Sequence, residues 1–424
     1  MARSRARHTV LVLACVLSVI TFIDRVCIAS AAPAIRQDLG LNAVEMGWVF
    51  SAFTFAYAAF EIPGGWLGDV LGPRKVLMRI VLWWSAFTMM SGLAWSFSSL
   101  VVARFLFGAG EAGAYPNISR SFLKWFPTQE RGSAHGAVFM SSRVGAAVAP
   151  PLVVLIIAWA GWRAAFWIFG LLGVVWSVFW WRWFRDDPAM HPAVDPEELA
   201  HIREGAAAVV HPRIDWRDLL HANLLIICLM YFCIGYGLYF YLTWLPTYFK
   251  EARGFSNSEA ALLSSGVLLT GGVATMAGGW LTDRLVARRG LKIGRSIGGV
   301  AMPLSGVFIL SAALVENPIA AAVLMAFAAA CADMCLSPSW ALCHDVGKEA
   351  AGAVTGAMNT FGAIGGALSP LVMGYSVQLW SSWTMPLVVT AAVYMIGGVL
   401  TLMVNPYQRL ALAGGAVEAA PGRA

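Results

Sequence analysis

Long apolar stretches separated by short polar connections dominate the chain. About twelve of them reach the roughly 20 apolar residues that a helix needs to cross a bilayer. We predict spans that begin near residues 8, 42, 75, 98, 132, 161, 220, 257, 294, 318, 349 and 381. The pattern predicts an all-α, polytopic membrane protein with twelve transmembrane helices, and an internal repeat divides them into two pseudo-symmetric bundles of six.

The repeat is carried by one polar segment that occurs twice. Gly64-Gly65-Trp66-Leu67-Gly68-Asp69 follows the second span, and Gly278-Gly279-Trp280-Leu281-Thr282-Asp283-Arg284 returns 214 positions later. Paired glycines let helices approach closely, and the Arg74-Lys75 pair that follows the first copy favours the cytoplasmic side. We therefore predict two short cytoplasmic loops whose gating residues are Asp69, Arg74, Asp283 and Arg284.

Charge is scarce and unevenly distributed. Of the 424 residues, 59% are hydrophobic and 12% charged, against about 25% charged in soluble domains. The predicted cytoplasmic segments hold 21 Lys and Arg residues and the opposite side 4, which places both termini in the cytoplasm. The net charge of +6 then reflects topology, so no nucleic-acid partner is expected. The predicted units are an N-terminal bundle (1–184), a cytoplasmic linker (185–219), a C-terminal bundle (220–406) and a cytoplasmic tail (407–424).

Two features near apolar spans allow other readings. Three arginines, an apolar run over residues 10–22 and Ala29-Ser30-Ala31 also fit a cleavable signal peptide. Cleavage would remove one of six helices from the first half, so we keep this segment as the first membrane helix.

The seven cysteines are an odd number, which argues against a complete disulfide framework. Cys331 and Cys335 share a helix face but have no mid-span histidine beside them, so no metal site is predicted.

Charged residues inside the spans are the strongest functional signal. Asp24 and Arg25 lie in the first span, and Arg104 and Glu111 lie two turns apart on one face of the fourth. Each charge costs about 2.5–3.5 kcal/mol in the centre of a membrane helix, so we expect the four to pair across the bundle and to line a water-filled cavity. The alternative is a salt-bridge cluster that only locks helices together. The seven histidines fall near or outside cytoplasmic span ends, which leaves carboxylates to carry any proton.

Further polar positions widen this prediction. Phe53, Tyr57 and Glu61 form one stripe of the second helix. Arg143 on the fifth helix is either a second anion contact or a partner for Glu61 or Glu111. In the second half the spans offer hydroxyls, aromatic rings and amides, and Asn359 needs a partner because a buried amide without one is costly.

Several of these residues match a known family. Asp24-Arg25, Tyr57, Arg104 with Gly108-Ala109-Gly110-Glu111-Ala112, and Pro127-x-x-Glu130-Arg131-Gly132 resemble the anion:cation symporter family of the major facilitator superfamily. The repeated segment resembles that superfamily's signature loop, Gly-x-Leu-x-Asp-x-x-Gly-x-Arg/Lys, with Val70 in place of the usual Arg. The resemblance covers essentially the whole chain.

The resemblance implies roles for individual residues. That family includes proton-coupled carriers of sugar acids, aromatic-acid carriers and vesicular glutamate carriers. By resemblance, Arg25 binds the substrate carboxylate, Asp24 and Glu111 are the protonatable pair, and Arg104 couples them. The other implied substrate-binding residues are Tyr57, Ser337, Ser339, Trp340 and Asn359. The chain departs from the family pattern at Glu61, where Gln is common, and at Ser142-Arg143, where a neutral amide is usual.

The expected function is import of a small organic anion, a sugar acid or related carboxylate, by proton symport with alternating access. We expect a monomer in the bacterial inner membrane, with protons as the coupling ion and no other cofactor. The alternatives are an anion exchanger or uniporter without proton coupling, a symporter for aromatic acids or dicarboxylates, and a non-transporting receptor. We do not expect an enzyme, since no mid-span histidine is available as a base.

Overall fold

The computed structural model describes residues 5–203, 221–347 and 351–408, apart from the side chains at positions 62, 69, 128 and 352. Within these ranges the regular structure is helical and contains no strand. The helices are α1 (Ala6–Leu39), α2 (Ala43–Leu71), α3 (Pro73–Ser91), α4 (Phe97–Glu111), α5 (Ala114–Trp125), α6 (Thr128–Trp183), α7 (Pro196–Ile202), α8 (Ala222–Thr243), α9 (Leu245–Glu251), α10 (Asn257–Arg289), α11 (Leu291–Arg295), α12 (Gly298–Leu314), α13 (Pro318–Asp333), α14 (Leu336–Gly347), α15 (Ala351–Trp380) and α16 (Thr384–Met403).

These helices make twelve membrane passes. In the described part of the chain, nine helical stretches are long and apolar enough to span a bilayer. One of the nine, Gln129–Trp183, contains two passes. Two more passes fall short of that criterion: α3 begins with three basic residues, and α4 with α5 forms a span that is interrupted at Ala112 and Gly113. The prediction of an all-α protein with twelve membrane helices is therefore confirmed, and the passes begin within a few residues of the predicted positions.

The fifth and sixth passes are joined at Gly161. Its φ of +81° is outside the helical region, and glycine reaches such values without steric cost. Val138, before this residue, accepts a hydrogen bond from Ser18 at 2.9 Å, and Trp176, after it, donates to the carbonyl of Leu13 at 2.9 Å. Because both sides of Gly161 pack on the same stretch of α1, the chain reverses direction there.

Each half repeats one close helix contact. In the N-terminal half, a Cβ on Gly64 of α2 would lie 2.7 Å from the Cα of Gly113, where α4 gives way to α5. In the C-terminal half, a Cβ on Gly278 of α10 would lie 2.1 Å from the carbonyl oxygen of Met334, where α13 gives way to α14. Glycine is needed at both places because the backbones touch. The two interrupted helices are therefore equivalent elements of the repeat.

The prediction that the signature segments are loops is wrong for most of their length. Residues 64–71 form the last two turns of α2, and residues 278–284 lie within α10. The chain leaves the helical conformation only at Gly72 (φ +80°) and Gly290 (φ +88°). Packing of the paired glycines against a neighbouring helix keeps these segments helical, because that packing offsets the weak helix propensity of glycine.

The start of the predicted linker is bound to the N-terminal half. Both carboxylate oxygens of Glu198 on α7 accept backbone N–H groups at the start of α1, from Ala6 and Arg7 at 3.1 Å each. Arg7 also pairs with Glu130, which lies 3.0 Å from His201. Residues 204–219 lie outside the described residues, as does most of the predicted tail, so the boundaries of the linker and the tail remain predictions.

The halves are in contact on the side of the membrane opposite to the start of α1. There Arg36 pairs with Glu251 at 2.6 Å, and Ser51 donates to the carbonyl of Ala367 at 2.6 Å. Among the described residues, the remaining hydrogen bonds between the halves join Arg143 to Asp333 and Asn359 to Glu61, farther from this side. With the predicted orientation, this closed side is periplasmic.

We predict that this closure depends on Gly47 and Gly374. A Cβ on Gly47 would lie 2.6 Å from the carbonyl oxygen of Pro370, and one on Gly374 would lie 2.5 Å from that of Ala43. Gly47→Ala or Gly374→Ala should therefore push α2 and α15 apart, at a cost of about 1–3 kcal/mol to the closed state. The measurement is labelling of a Ser51→Cys reporter by a polar maleimide, which should accelerate roughly tenfold.

The control is Gly266→Ala on α10, because a Cβ there meets nothing within 4 Å. Labelling rates that are equal in all three variants would contradict the assignment of the closed side.

Candidate functional site

A cluster of buried charges lies between α1 and α4. Asp24, Arg104 and Glu111 are each at most 1% exposed, and the side chain of Arg25 is 14% exposed. Arg25 forms a short ion pair with Oε1 of Glu111 through Nε and Nη2. Adjacent residues of a helix point in different directions, so Arg25 reaches across to the end of α4 and does not pair with its neighbour Asp24.

Asp24 and Arg104 complete the cluster without such a pair. Both carboxylate oxygens of Asp24 are buried without a close hydrogen bond, and the indole N–H of Trp84 is a weak donor to this carboxylate. Nε and Nη1 of Arg104, which lies within electrostatic range of Asp24, are likewise buried without a close hydrogen bond. Unpaired charge is costly in a buried site, so these groups need water, a proton or a rearranged partner.

Aromatic rings surround the two arginines. The guanidinium carbon of Arg25 lies 4.7 Å from the ring centre of Tyr57 and 5.3 Å from that of Phe53. Arg104 also contacts Phe53 at 5.3 Å, and it lies 4.3 Å from Phe107. A cation over an aromatic face is stabilised by the ring quadrupole. Tyr57 thus makes a cation–π contact with Arg25, and Phe53 makes one with each arginine.

The third member of the predicted α2 stripe contacts the other half. Glu61 accepts hydrogen bonds from the amide nitrogen of Asn359, on α15, at 3.1 and 3.2 Å. The polar partner that the Asn359 amide requires is therefore a carboxylate across the interface between the halves.

Arg143 also bonds across this interface. Its Nη1 lies 3.2 Å from Oδ2 of Asp333, the last residue of α13. Of the two alternatives for Arg143, the one in which it partners Glu61 or Glu111 is wrong, because those carboxylates are bound to Asn359 and Arg25. Two glycines of α10 make room for this pair. A Cβ on Gly271 would lie 2.3 Å from the Asp333 carboxylate, and a Cβ on Gly272 would lie 3.2 Å from the aliphatic part of Arg143.

The predicted residues of α14 are mostly engaged inside the C-terminal half. The Ser337 hydroxyl donates to the carbonyl of Thr275 at 2.9 Å. The Ser339 hydroxyl donates to the carbonyl of Cys335, four residues earlier, at 2.7 Å. Trp340 donates to the hydroxyl of Tyr231 at 2.9 Å. No described contact brings Ser337 or Ser339 to the Arg25–Glu111 pair, so their role as substrate contacts remains a prediction.

Two aromatic residues that sequence reasoning missed connect the halves. Tyr115, on α5, lies 2.9 Å from Ser18 and stacks on Phe139 with ring centres 6.1 Å apart. Phe139, on α6, in turn lies 6.2 Å from Trp340 of the C-terminal half. The exposed face of Phe139 therefore borders the gap between the halves. The available sequence signals were the position of Tyr115 four residues after Glu111 and the spacing of Phe139 four residues before Arg143.

No described contact joins the predicted gating residues Arg74, Asp283 and Arg284 to one another. The backbone N–H of Arg74 donates to Asp186 at 2.9 Å, and its guanidinium donates to the carbonyl of Trp181 at 2.6 Å. Asp283 is exposed, and Arg284 stacks over Trp280 at 4.9 Å. The side chain of Asp69 lies outside the described residues.

In the part of the chain that is described, no group of three His, Cys, Asp or Glu residues could hold a metal ion.

Comparisons with known proteins agree with this architecture. The family model described as Major Facilitator Superfamily matches residues 14–370. The chain is 37% identical over 412 residues to the protein named probable sulfoacetate transporter in Cupriavidus necator, covering 95% of each chain. It is 31% identical to the D-galactonate transporter of Escherichia coli, covering 96% of this chain and 97% of that protein. It is 32% identical to the probable galactarate/D-glucarate transporter of Bacillus subtilis, covering 93% and 90%.

Solved structures show the same fold. A bacterial homologue of the human lysosomal transporter Spinster, in an inward-facing and occupied conformation, superposes with a TM-score of 0.79 at 18% identity. The match covers 96% of this chain and 98% of that one. The twelve passes, the repeated glycine contacts and the matched family model lead to one conclusion: the chain belongs to the major facilitator superfamily.

Proposed function

We propose that the chain imports a small organic anion together with protons by alternating access. The observation that carries this proposal is the buried ion pair between Arg25 and Glu111. Relatives over nearly the full length are named as transporters of sulfoacetate, D-galactonate and galactarate or D-glucarate, which are all organic acids. We therefore propose a sugar acid or related carboxylate as substrate.

In the proposed cycle, a substrate carboxylate replaces Glu111 as the partner of Arg25. A guanidinium holds a carboxylate through two parallel hydrogen bonds, so the exchange preserves the pairing of Arg25. It leaves Glu111 buried without its ion-pair partner, and a carboxylate in that position is stabilised by taking up a proton. Anion binding and proton binding then favour each other. The ion-pair partner of Arg25 is Glu111 and not the adjacent Asp24, so in this proposal the substrate displaces Glu111.

Asp24 supplies a second proton site in this proposal. It is fully buried, has no ion-pair partner among the described residues and lies within electrostatic range of both Glu111 and Arg104. Arg104 then links the two carboxyl groups, since a change of charge on either one alters its environment. Two protons that accompany a monoanion would move one positive charge inward, worth about 2.3 kcal/mol per 100 mV.

Alternating access requires that the contacts on the closed side break while contacts on the opposite side form. The Arg36–Glu251 pair and the Ser51–Ala367 hydrogen bond belong to the first group. Asp283 and Arg284 are exposed in this conformation and are available for the second. We propose that they act with Asp69 and Arg74 as the gate on the side of the chain termini, which we place in the cytoplasm.

The first test concerns Arg25. Arg25→Lys keeps the charge but loses the planar pair of donors, so affinity for the transported anion should fall about tenfold or more. The measurement is binding to the purified protein by isothermal titration against sulfoacetate, D-galactonate and D-glucarate. Arg163→Lys is the matched control, because Arg163 pairs with Asp38 at 2.6 Å at the far end of the helices. Wild-type affinity in Arg25→Lys would refute the role of Arg25.

The second test separates symport from uncoupled exchange or uniport. Glu111→Gln cannot take up a proton, so it should abolish accumulation of labelled anion in proteoliposomes under a proton gradient. It should spare the exchange of internal for external anion, since Arg25 is kept. Glu259→Gln serves as control because Glu259 lies in an exposed helix cap with Ser256. A wild type that does not accumulate the anion under the gradient would favour a uniporter or exchanger, and accumulation that persists in Glu111→Gln would contradict the role of Glu111 as a proton carrier.

A further inference from the structure

A second arginine occupies a position that parallels Arg25. Glu111 ends α4, and Asp333 ends α13, directly before the break of each interrupted helix. Pro116 and Pro338 each follow five residues later. Both carboxylates are buried, and each is held by an arginine, Arg25 in one case and Arg143 in the other. The repeat therefore places two carboxylates, each paired with an arginine, at equivalent points of the two halves.

The two arginines lie at a similar depth. Ser18 is bonded to Val138, which joins α1 to the first pass of α6 at one level. Arg25 is seven residues beyond Ser18, or about 10.5 Å along α1, and Arg143 is five residues beyond Val138, or about 7.5 Å along α6. Both passes run in the same direction, so the two levels differ by roughly 3 Å.

Tyr115 bridges the space between these arginines. Its hydroxyl lies 2.9 Å from Ser18, and it is within electrostatic range of both Arg25 and Arg143. Its ring stacks on Phe139, which faces the gap between the halves. The Tyr115–Phe139 pair offers an aromatic surface near both cations that can accommodate the carbon chain of a ligand.

Arg143 keeps most of its donors free. A guanidinium has five N–H groups, and within the described residues one contact, from Nη1 to Asp333 at 3.2 Å, is its only hydrogen bond. The side chain remains 17% exposed, although its stem packs on Gly272. It can therefore receive an anionic group by releasing Asp333, just as Arg25 can by releasing Glu111.

We propose that Arg143 forms a second anion subsite, so that the preferred substrate carries an acidic group at each end, one held by Arg25 and the other by Arg143. Asp333 occupies Arg143 when no substrate is bound. This inference rests on the proposed function, since it takes Arg25 as the first anchor. It makes the substrate a dicarboxylate or a sulfonate–carboxylate, and it makes Arg143 a specificity-determining residue.

The test compares anions that differ only in the second charge. D-Glucarate and D-gluconate share a six-carbon chain, and sulfoacetate and methylsulfonylacetate share a two-carbon one. Binding of each to the purified full chain gives a dianion-to-monoanion affinity ratio. Arg143→Gln should lower this ratio at least about tenfold, because a charge-assisted contact is lost, while monoanion affinity should stay within about twofold. Arg163→Gln, the control, should leave the ratio unchanged.

A second variant separates a subsite from a mere link between the halves. Asp333→Asn frees Arg143, so the ratio should rise, opposite to its change in Arg143→Gln. A link between the halves predicts the same direction of change in both variants, since each breaks the same ion pair. Any of three outcomes would overturn the proposal. Arg143→Gln could lower the affinities for dianion and monoanion equally, Asp333→Asn could leave the affinity ratio unchanged or lower it, or the wild type could bind neither dianion. These outcomes are independent of proton coupling, so failure of symport alone would leave the ratios as predicted.

Discussion

The ion pair between Arg25 and Glu111 is the interaction on which the rest of the site depends. Both groups lie inside a membrane helix bundle, where breaking a buried pair by removing one partner costs about 3–5 kcal/mol. That cost means that neither group separates from the other unless a substitute arrives. An anion can substitute for Glu111, and a proton can substitute for Arg25. In the proposed cycle, the pair therefore links the two ligands through electrostatics alone, without direct contact between the proton and the anion.

The fold places this pair by interrupting a helix. Gly64 allows α2 to touch the backbone at Gly113, which fixes the end of α4 and the carboxylate of Glu111. The C-terminal half builds the same break with Gly278 and Met334, and it presents Asp333. The arginines break the symmetry, because both come from the N-terminal half. One pair thus lies within a half and one spans the two halves, so that only the second senses their separation directly.

The sequence predicts the architecture well because the membrane imposes it. The length of the apolar stretches predicts the twelve passes. Because a charged residue inside a membrane helix is costly, Asp24, Arg104 and Glu111 can be identified from the sequence as buried candidates for function. Pairing was less predictable, because adjacent residues on a helix diverge and the partner of Arg143 lies 190 positions away in the other half. The signature segments were misjudged as loops because glycine pairs mark close packing as well as turns. Tyr115 and Phe139 were missed because only tertiary contacts distinguish a cavity wall from ordinary packing.

The central claim is that anion binding makes a buried carboxyl group take up a proton. The direct measurement is isothermal titration of the purified protein with D-glucarate or sulfoacetate near neutral pH, in buffers of different ionisation enthalpy. The slope of the observed enthalpy against buffer enthalpy counts the protons taken up as the anion binds. The account predicts uptake of about one proton or more per anion, by linkage between the two sites. Anion binding with no dependence on the buffer would contradict it.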